Sequence, residues 1–264
     1  MQIPSMQELL EAGVHFGHQV RRWNPKMQPF IFTAREGIHV IDLAATVDKL
    51  TEACEFVKKI GTEGGTIVFL ASKKQAKAIV EAEAKKAGAM YITERWIGGL
   101  LTNWDQTSKN LKKLADLKKK KEEGGFADLT KKENLQIDRV INKLERFYGG
   151  VAALEKLPDA LFVVDVRKEE NACREAQKKE VPIIALCDTN ANVTLVDYPV
   201  PGNDDAIKAI EIVTHAVAEA YAEGKVAFEK KTPKEKVDAA GDAPKGTKGT
   251  KGSDDKLKPA DQSS

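Results

Sequence analysis

The chain has 264 residues, of which 42% are hydrophobic, and a formal net charge of +2, so it can form one large domain or one domain with an insertion. It contains no run of about 18 apolar residues, and we expect no transmembrane helix. The N-terminus lacks the charged and apolar regions of a secretory signal. Cys54, Cys173 and Cys187 form no C-x-x-C pair, and we expect buried free thiols in a reducing, cytoplasmic compartment.

Charge is unevenly distributed along the chain. Basic residues outnumber acidic residues over 73–149, and the balance reverses over 150–228. A molecule polarised in this way can place one face on a polyanion and keep the other in solvent. The alternative is that basic and acidic helices alternate in space and leave no basic face, and the sequence favours neither.

The N-terminal part of the chain combines helix, loop and hairpin patterns. Ser5 and Glu8 have the spacing of a capping box, which starts a helix, and glycine and proline interrupt the segment that follows. The predicted elements are a helix over residues 5–12, an irregular segment over 13–28, and a hairpin with strands at 30–32 and 38–41.

The remaining elements alternate between apolar runs and three- to four-residue periodicity. Continuous apolar runs such as 66–71 are typical of strands that are covered on both faces. The predictions are helices at 44–60, 73–87, 169–179 and 204–224, the last capped near Asn203 or Asp204, and strands at 66–71, 90–92, 160–165, 183–187 and 193–196. This alternation predicts an α/β fold, a three-layer, mostly parallel sheet with helices on both faces.

Residues 102–149 interrupt that alternation. Two segments repeat apolar residues at three and four, with charged flanks and a turn at Gly124-Gly125 between them. Thr102 is the predicted N-cap of the first helix, and Thr130 with Glu133 forms a capping box for the second. Narrow apolar seams on two such helices predict an inserted antiparallel coiled-coil hairpin that projects from the domain.

The end of the chain has a different composition. From Glu229 onward the sequence is rich in Lys, Gly, Asp, Pro, Ala, Thr and Ser and has almost no apolar residue. Such a segment buries too little apolar surface to offset its ordering entropy. We therefore predict one domain over residues 1–228, which includes the 102–149 hairpin, and a disordered polar tail over 229–264.

The sequence marks of catalysis and of nucleotide binding are missing. The chain has no G-x-x-x-x-G-K-[ST] and no G-x-S-x-G motif, and Ser72 rather than a glycine-rich loop follows the 66–71 strand. His15 and His18 suit hydrogen bonds to backbone or phosphate better than a metal site. We expect no catalytic residue and no cofactor, with weak candidates for a divalent cation at Asp188, Asp197, Asp204 and Asp205.

Three segments carry the donors and aromatic rings expected of a contact with structured RNA. They are the basic aromatic segment Arg21–Lys26, the strand-to-helix turn Ser72–Gln75, and the junction Arg95–Trp104 with its two tryptophans and Gly98-Gly99. RNA is recognised through its shape, phosphates, 2′-hydroxyls and base stacking. The alternative for the tryptophans is burial in the core, which we expect for Trp104 as the start of the coiled-coil seam.

Several of these segments, taken in order, resemble the family of the second protein of the bacterial small ribosomal subunit. The resemblance covers about residues 5–228 and rests on Gly13–His18, Arg22–Met27, Phe30–Phe32, Gly37–Leu43, Arg95–Asn103, Pro158–Asp165, Asp188–Asn190 and Pro199–Asp205. It implies a non-catalytic, structural role in translation. It also implies binding to small-subunit ribosomal RNA and to other small-subunit proteins, including the large, mRNA-capturing first protein, and no membrane or small-molecule partner.

The expected RNA-binding residues follow from the loops and the resemblance together. They are His15, His18, Arg21, Arg22, Trp23, Asn24, Lys73, Lys74, Arg95, Trp96, Gly98, Gly99 and Asn103. Two alternatives remain open, a doubly wound nucleotide-binding protein or enzyme with a coiled-coil partner arm, and a coiled-coil adaptor that does not touch RNA. Only the ribosomal hypothesis predicts that the chain co-sediments with small ribosomal subunits.

Overall fold

Two sheets organise the chain, and the computed structural model describes them within residues 3–126 and 129–231. Within these ranges, no helix combines the length and the apolar character needed to cross a membrane. The last helix continues to Lys231, so residues 229–231 of the predicted tail are helical. The rest of that predicted tail, residues 232–264, lies outside the described residues.

The smaller sheet is antiparallel and three-stranded. It follows helix α1 (Met6–Glu11), whose predicted capping box between Ser5 and Glu8 is confirmed. The strands are β1 (Phe16–Gln19), β2 (Ile31–Arg35) and β3 (Ile38–Ile41), in the order β1-β3-β2. The predicted hairpin is thus confirmed, but residues 13–28 are not wholly irregular, since β1 pairs with β3 despite its glycine and a shift in register.

The larger sheet has five strands, all parallel, in the order β5-β4-β6-β7-β8. Its elements in chain order are α2 (Leu43–Thr62), β4 (Ile67–Leu70), α3 (Lys77–Ala87), β5 (Met90–Ile92), α4 (Trp104–Glu122), α5 (Lys131–Tyr148), β6 (Ala160–Val164), α6 (Glu170–Lys178), β7 (Ile183–Cys187), β8 (Tyr198–Pro201) and α7 (Ile207–Lys231). The predicted α/β fold with a parallel sheet is confirmed.

Side chains alternate between the two faces of this sheet and form two separate cores. Phe69 and Phe162 face α2, α3 and α7, whereas Val68 and Val163 face α4, α5 and α6. All three cysteines are buried and free as predicted, and burial raises the pKa of the Cys54 and Cys173 thiols to about 12.

Two predictions near the end of the domain are wrong, the strand over 193–196 and the start of the last helix at residue 204. Residues 193–195 form a 3-10 helix, in which the Asn192 side chain accepts a hydrogen bond from the Thr194 N–H, and the strand is β8. Pro199 and Pro201 fit this strand because β8 is at the edge of the sheet, where a missing N–H is tolerated. Helix α7 begins at Ile207, after a turn in which the Asn203 side chain accepts hydrogen bonds from the Asp205 and Ala206 N–H groups.

Helices α4 and α5 contact each other through their apolar and charged side chains. Lys121 Nζ lies 2.7 Å from Asp138 Oδ1, Lys118 pairs with Glu145, and the Thr130–Glu133 capping box is confirmed. Thr102, however, is not the N-cap of α4: Asn103 occupies that position without a side-chain cap. The near ends of both helices join the core, where Leu111, Leu114, Ile141 and Tyr148 are buried.

Candidate functional site

The carboxyl edge of the parallel sheet collects most of the predicted contact segments. Because β4, β6, β7 and β8 all run in one direction, the loops that follow them start at the same edge. These loops carry Lys73, Asp165, Asp188 and Asp204, which are far apart in the sequence. The sequence placed each at the end of an apolar run, and only the strand order brings them together.

Residues that follow β7 hold the segment from β1 to Asn24 on this edge. The Thr189 hydroxyl accepts a hydrogen bond from the His18 N–H at 2.9 Å, and its carbonyl accepts one from the Asn24 N–H at 2.8 Å. A Cβ on Gly17 would lie 2.6 Å from Thr189 Cγ2, so only glycine allows this approach. Thr189 was not among the predicted site residues, and the signal for it was its position directly after a buried strand.

A buried charge cluster lies beneath this segment. The Lys73 ammonium lies 2.7 Å from Asp204 Oδ1, 2.6 Å from Asp205 Oδ1 and 3.5 Å from Asp165 Oδ2. His18 Nδ1 lies 3.0 Å from Asp188 Oδ1. The Lys73 charge is therefore balanced by carboxylates of the protein itself, of which Asp204 is buried and Asp205 is 55% exposed. This is a different environment from the free phosphate contact that the sequence predicts.

The pKa values of this charge cluster follow from burial and from the excess of carboxylates. Burial and the charges of Asp165 and Asp188 raise the pKa of Asp204 to about 7, although Lys73 lowers it. Burial by itself lowers the pKa of Lys73, but Asp204, Asp205 and Asp165 outweigh it and raise that pKa. The hydrogen bond to Asp188 raises the pKa of His18 in spite of burial.

Part of the charge cluster has the composition of a cation site. One ligand atom each from His18, Asp188 and Asp204 lies within 4.8 Å of the others, and nitrogen with carboxylate oxygen suits a divalent cation. A cation there would share Asp204 with Lys73. Asp197 does not take part, because its side chain accepts a hydrogen bond from the Ile183 N–H at the other end of β7. Asp165 also closes a turn, by accepting from the Lys168 N–H.

The segment after β1 lines an open, basic crevice of about 670 Å³, which we call the first crevice. Trp23 lies half-buried on the ring of His39, with 5.3 Å between ring centroids. The lining residues are Arg21, Arg22, Trp23, Asn24, Pro25, Arg167 and Asn190. Arg167 was not predicted as a site residue, although it follows β6 at the carboxyl edge.

The junction before α4 lines a second crevice of about 610 Å³, together with α6. Its lining residues are Ser72, Arg95, Trp96, Gly98, Lys168, Glu169, Asn171, Arg174, Glu175 and Lys178. The junction and α6 are separated by most of the α4–α5 insertion in the sequence. Their contact is visible only in the fold.

Glu175 holds the junction in place, and no local pattern in the sequence points to it. Its carboxylate accepts hydrogen bonds from the Trp96 indole at 3.0 Å, from the amides of Gly99, Leu101 and Thr102, and from the Thr102 hydroxyl. Burial raises the pKa of Glu175, but these hydrogen bonds together outweigh burial and lower it. A charged carboxylate thus replaces the missing backbone partners of the turn.

The structure separates the predicted junction residues into buried and exposed groups. Trp96 is only 7% exposed and belongs to the core, whereas Arg95, Gly98 and Asn103 are exposed. Gly99 has a φ of +87° and turns the chain toward α4. Trp104 packs partly buried against the core, as expected. Lys74 is exposed, and His15 stacks on Phe16 with 4.0 Å between centroids.

The carboxyl edge is poorly suited to a free nucleotide. With β4 as the first parallel strand, the sheet order is the doubly wound pattern in which ligands bind between β4 and β6. At that point the Glu169 carboxylate accepts hydrogen bonds from the amide and hydroxyl of Ser72. Asp165 lies nearby against Lys73, so a nucleotide phosphate seated against the Ser72 amide would meet negative charge, whereas Arg95 and Arg174 farther out in the second crevice are exposed.

We expect Glu175→Gln to lower the free energy of unfolding by about 2 kcal/mol, because an amide donor would face the Leu101 and Thr102 donors. The wild-type carboxylate has a lowered pKa and stabilises the fold above the ordinary value of 4.5, with the effect lost as the pH falls through the folded-state pKa. Urea denaturation of the wild type and the variant at pH 7 and pH 4 measures the loss of stability and its dependence on pH. An equal loss of stability at the two pH values would contradict the role given to the charge.

We expect Lys73→Met to destabilise the domain by about 3–5 kcal/mol, because it leaves buried carboxylates without their ammonium. Adding Asp204→Asn should restore part of that loss, and thermal denaturation of the single and double variants measures it. If Lys73→Met instead kept full stability but weakened RNA binding, Lys73 would be a phosphate contact, as the sequence predicts.

Comparison with known families identifies the chain. Its sequence matches the family Ribosomal protein S2 over residues 9–224. This match covers more than half of the chain, so the chain belongs to the Ribosomal protein S2 family. Its role is therefore structural, in the small ribosomal subunit and in translation, and it is not an enzyme.

Proposed function

We propose that this member of the Ribosomal protein S2 family binds small-subunit ribosomal RNA at the carboxyl edge of its parallel sheet, through the first and second crevices. The observation that carries the proposal is the set of unpaired cations there. Arg22, Arg167 and Arg95 are exposed and have no carboxylate partner among residues 3–126 and 129–231. Arg21 donates only to the neutral Gln19 side chain.

Some cations elsewhere on the surface are already paired within the protein. Several lysines of the helices pair with a carboxylate one turn away or on a neighbouring helix, as Lys85 does with Glu81 and Lys58 with Glu223. A charge that has no internal partner remains available to a phosphate, and phosphate contacts dominate affinity for nucleic acid. Trp23 adds an aromatic edge beside the arginines of the first crevice.

The predicted contact residues then divide into two groups. We propose that Arg21, Arg22, Trp23, Lys74, Arg95, Gly98 and Asn103 meet RNA. His18, Asn24, Lys73, Trp96 and Gly99 support them from within, because their polar atoms or their backbone conformation are used by the fold. We place His15 in the supporting group as well, since its ring packs at an angle against Phe16 and burial lowers its pKa.

We also propose that α4 and α5 form an antiparallel coiled-coil arm that makes a further RNA or protein contact. The pairs Lys118–Glu145 and Lys121–Asp138, with the Asn110–Tyr148 hydrogen bond, advance in opposite directions along the two helices. Toward the far end of α5, Leu135 is 51% exposed. An apolar residue of this size on a charged helix is a candidate for contact with a partner.

The contact with the mRNA-capturing first protein of the subunit belongs to the same proposal. We assign it to the face of the small sheet that carries Val40, where exposed apolar side chains lie among polar ones. Phe16 is 52% and Ile38 40% exposed, and both share the face of Val40. Exposed aromatic and aliphatic side chains that lie together are typical of protein interfaces.

Replacing Arg21 and Arg22 by alanine together should weaken binding to small-subunit ribosomal RNA and reduce the salt dependence of log K by roughly 0.7–0.9 per lost phosphate contact. Filter binding across a salt series and co-sedimentation with small subunits are the measurements. Unchanged affinity and an unchanged slope would show that the first crevice does not bind RNA. The matched control is Lys85→Ala with Lys86→Ala, whose ammonium groups pair with Glu81 and Glu83.

Shortening the arm should leave the domain folded and reduce its incorporation into small subunits. Replacing residues 120–138 by a short Gly-rich turn keeps the buried Leu114 and Ile141 and the Lys118–Glu145 pair. A larger cut at 106 and 145 would also remove Leu111 from the core. Circular dichroism tests the fold and gradient sedimentation tests incorporation, and normal incorporation of the shortened chain would rule out an assembly role.

A further inference from the structure

We propose that the second crevice is a phosphate-binding site for the RNA backbone, in which Arg95 of the junction faces Arg174 and Lys178 of α6. The inference rests on the proposed RNA-binding function and adds to it a helix to which the sequence analysis assigned no role. The ligand class is the phosphodiester group of a structured RNA.

The cations at the mouth of the second crevice are available to bind a phosphate. Arg95 and Lys178 are exposed and make no ion pair in the part of the chain that the structure describes. Arg174 contacts Glu170 at 2.6 Å, but the two side chains are 61% and 45% exposed. Solvent screening makes such a surface pair weak, so a phosphate can replace Glu170 as the partner of Arg174.

The acidic residues of the crevice lie at its back and already accept hydrogen bonds from the protein. Glu175 accepts its hydrogen bonds from the junction. Glu169 is only 4% exposed and is bonded to Ser72, and burial raises its pKa in spite of those hydrogen bonds. The negative charges therefore hold the walls together, while the positive charges face solvent.

The two walls are held in position before any ligand arrives. On α6, Asn171, Arg174 and Lys178 are three and four residues apart, so they lie on one side of the helix. The opposite wall is fixed by the Glu175 hydrogen bonds on both sides of Gly98. A Cβ added to Gly98 would meet nothing within 4 Å, so its backbone is open to a close approach. A preorganised site loses less entropy on binding.

The second crevice also continues the first. Arg167 lines the first crevice and Lys168 lines the second, and the two residues are consecutive in the chain. One RNA strand can therefore cross from one crevice to the other along the loop after β6. This continuity favours a nucleic acid backbone over an isolated small anion.

A salt-dependence experiment measures the contribution of α6. The variants are Lys178→Gln and the double variant Arg174→Gln with Lys178→Gln, each titrated with transcribed small-subunit ribosomal RNA. Lys59→Gln is the matched control, because Lys59 is an exposed lysine of α2, on the other side of the sheet. We expect Lys178→Gln to reduce the slope of log K against log salt concentration by roughly 0.7–0.9 and to weaken RNA binding about threefold. The double variant should reduce both the slope and the affinity further.

A tethered-cleavage experiment tests the location. Lys178→Cys, Arg95→Cys and the control Lys59→Cys can each carry a hydroxyl-radical reagent, because Cys54, Cys173 and Cys187 are fully buried. We expect cleavage from positions 95 and 178 in the same short RNA segment and none there from position 59.

The outcomes separate this inference from the function on which it rests. If the wild-type chain binds the RNA, but the α6 variants behave like Lys59→Gln and the cuts from 95 and 178 do not overlap, the crevice site is wrong and the proposed function stands. If the wild-type chain shows no salt-dependent binding, both are overturned. If the α6 variants unfold, as circular dichroism would reveal, overlapping cuts from Lys178→Cys support the site and separate cuts refute it.

Discussion

The buried contact between the Lys73 ammonium and its carboxylates is the interaction on which the carboxyl edge depends. Each partner follows a different strand, since Lys73 comes after β4, Asp165 after β6 and Asp204 after β8. A buried charge is costly unless it is paired, so the loops cannot move apart without exposing or stranding one of these groups. His18 and Asp188 extend the same constraint to the small sheet.

The Glu175 carboxylate stabilises the junction before α4 in a similar way, by pairing polar groups that would otherwise lack a partner. A turn with several free amides needs acceptors, and a single carboxylate from α6 provides them for Gly99, Leu101 and Thr102. The consequence is a division of charge across this edge of the molecule. Acidic groups such as Glu175 and Glu169 are hydrogen-bonded inside it, and arginines such as Arg22 and Arg95 on its surface have no carboxylate partner among the residues that the structure describes.

This division explains how a doubly wound sheet can serve a ribosomal protein. Enzymes with this topology keep hydrogen-bond donors and open space between the first and third strands of the parallel sheet, where a ligand phosphate binds. In this chain those strands are β4 and β6. Here Glu169 takes the donors of Ser72, and Lys73 is enclosed by carboxylates. The sheet is then a rigid support, and binding is left to exposed side chains around its edge, which suits a large and irregular polyanion.

Local patterns in the sequence determined the elements. Apolar runs predicted the central strands, and spacing of three and four predicted α4 and α5. Ser5 and Thr130 each satisfied a capping box within four residues, so both could be predicted without knowledge of the fold. Where the pattern was weak, as at β8 with its two prolines, the prediction was wrong because pairing with β7 decided the conformation.

Only the tertiary structure decided which polar residues face outward. The sequence predicted the same contact role for Lys73, Trp96 and Arg95, because their types are equally suited to RNA. Their partners, Asp204 for Lys73 and Glu175 for Trp96, lie far along the chain, and no local pattern encodes such a distance. The packing of the sheet and of α6 brings those carboxylates to Lys73 and Trp96, and within residues 3–126 and 129–231 it brings none to Arg95. A charge or donor is free to bind a partner only where the fold leaves it unpaired, and local sequence does not determine that.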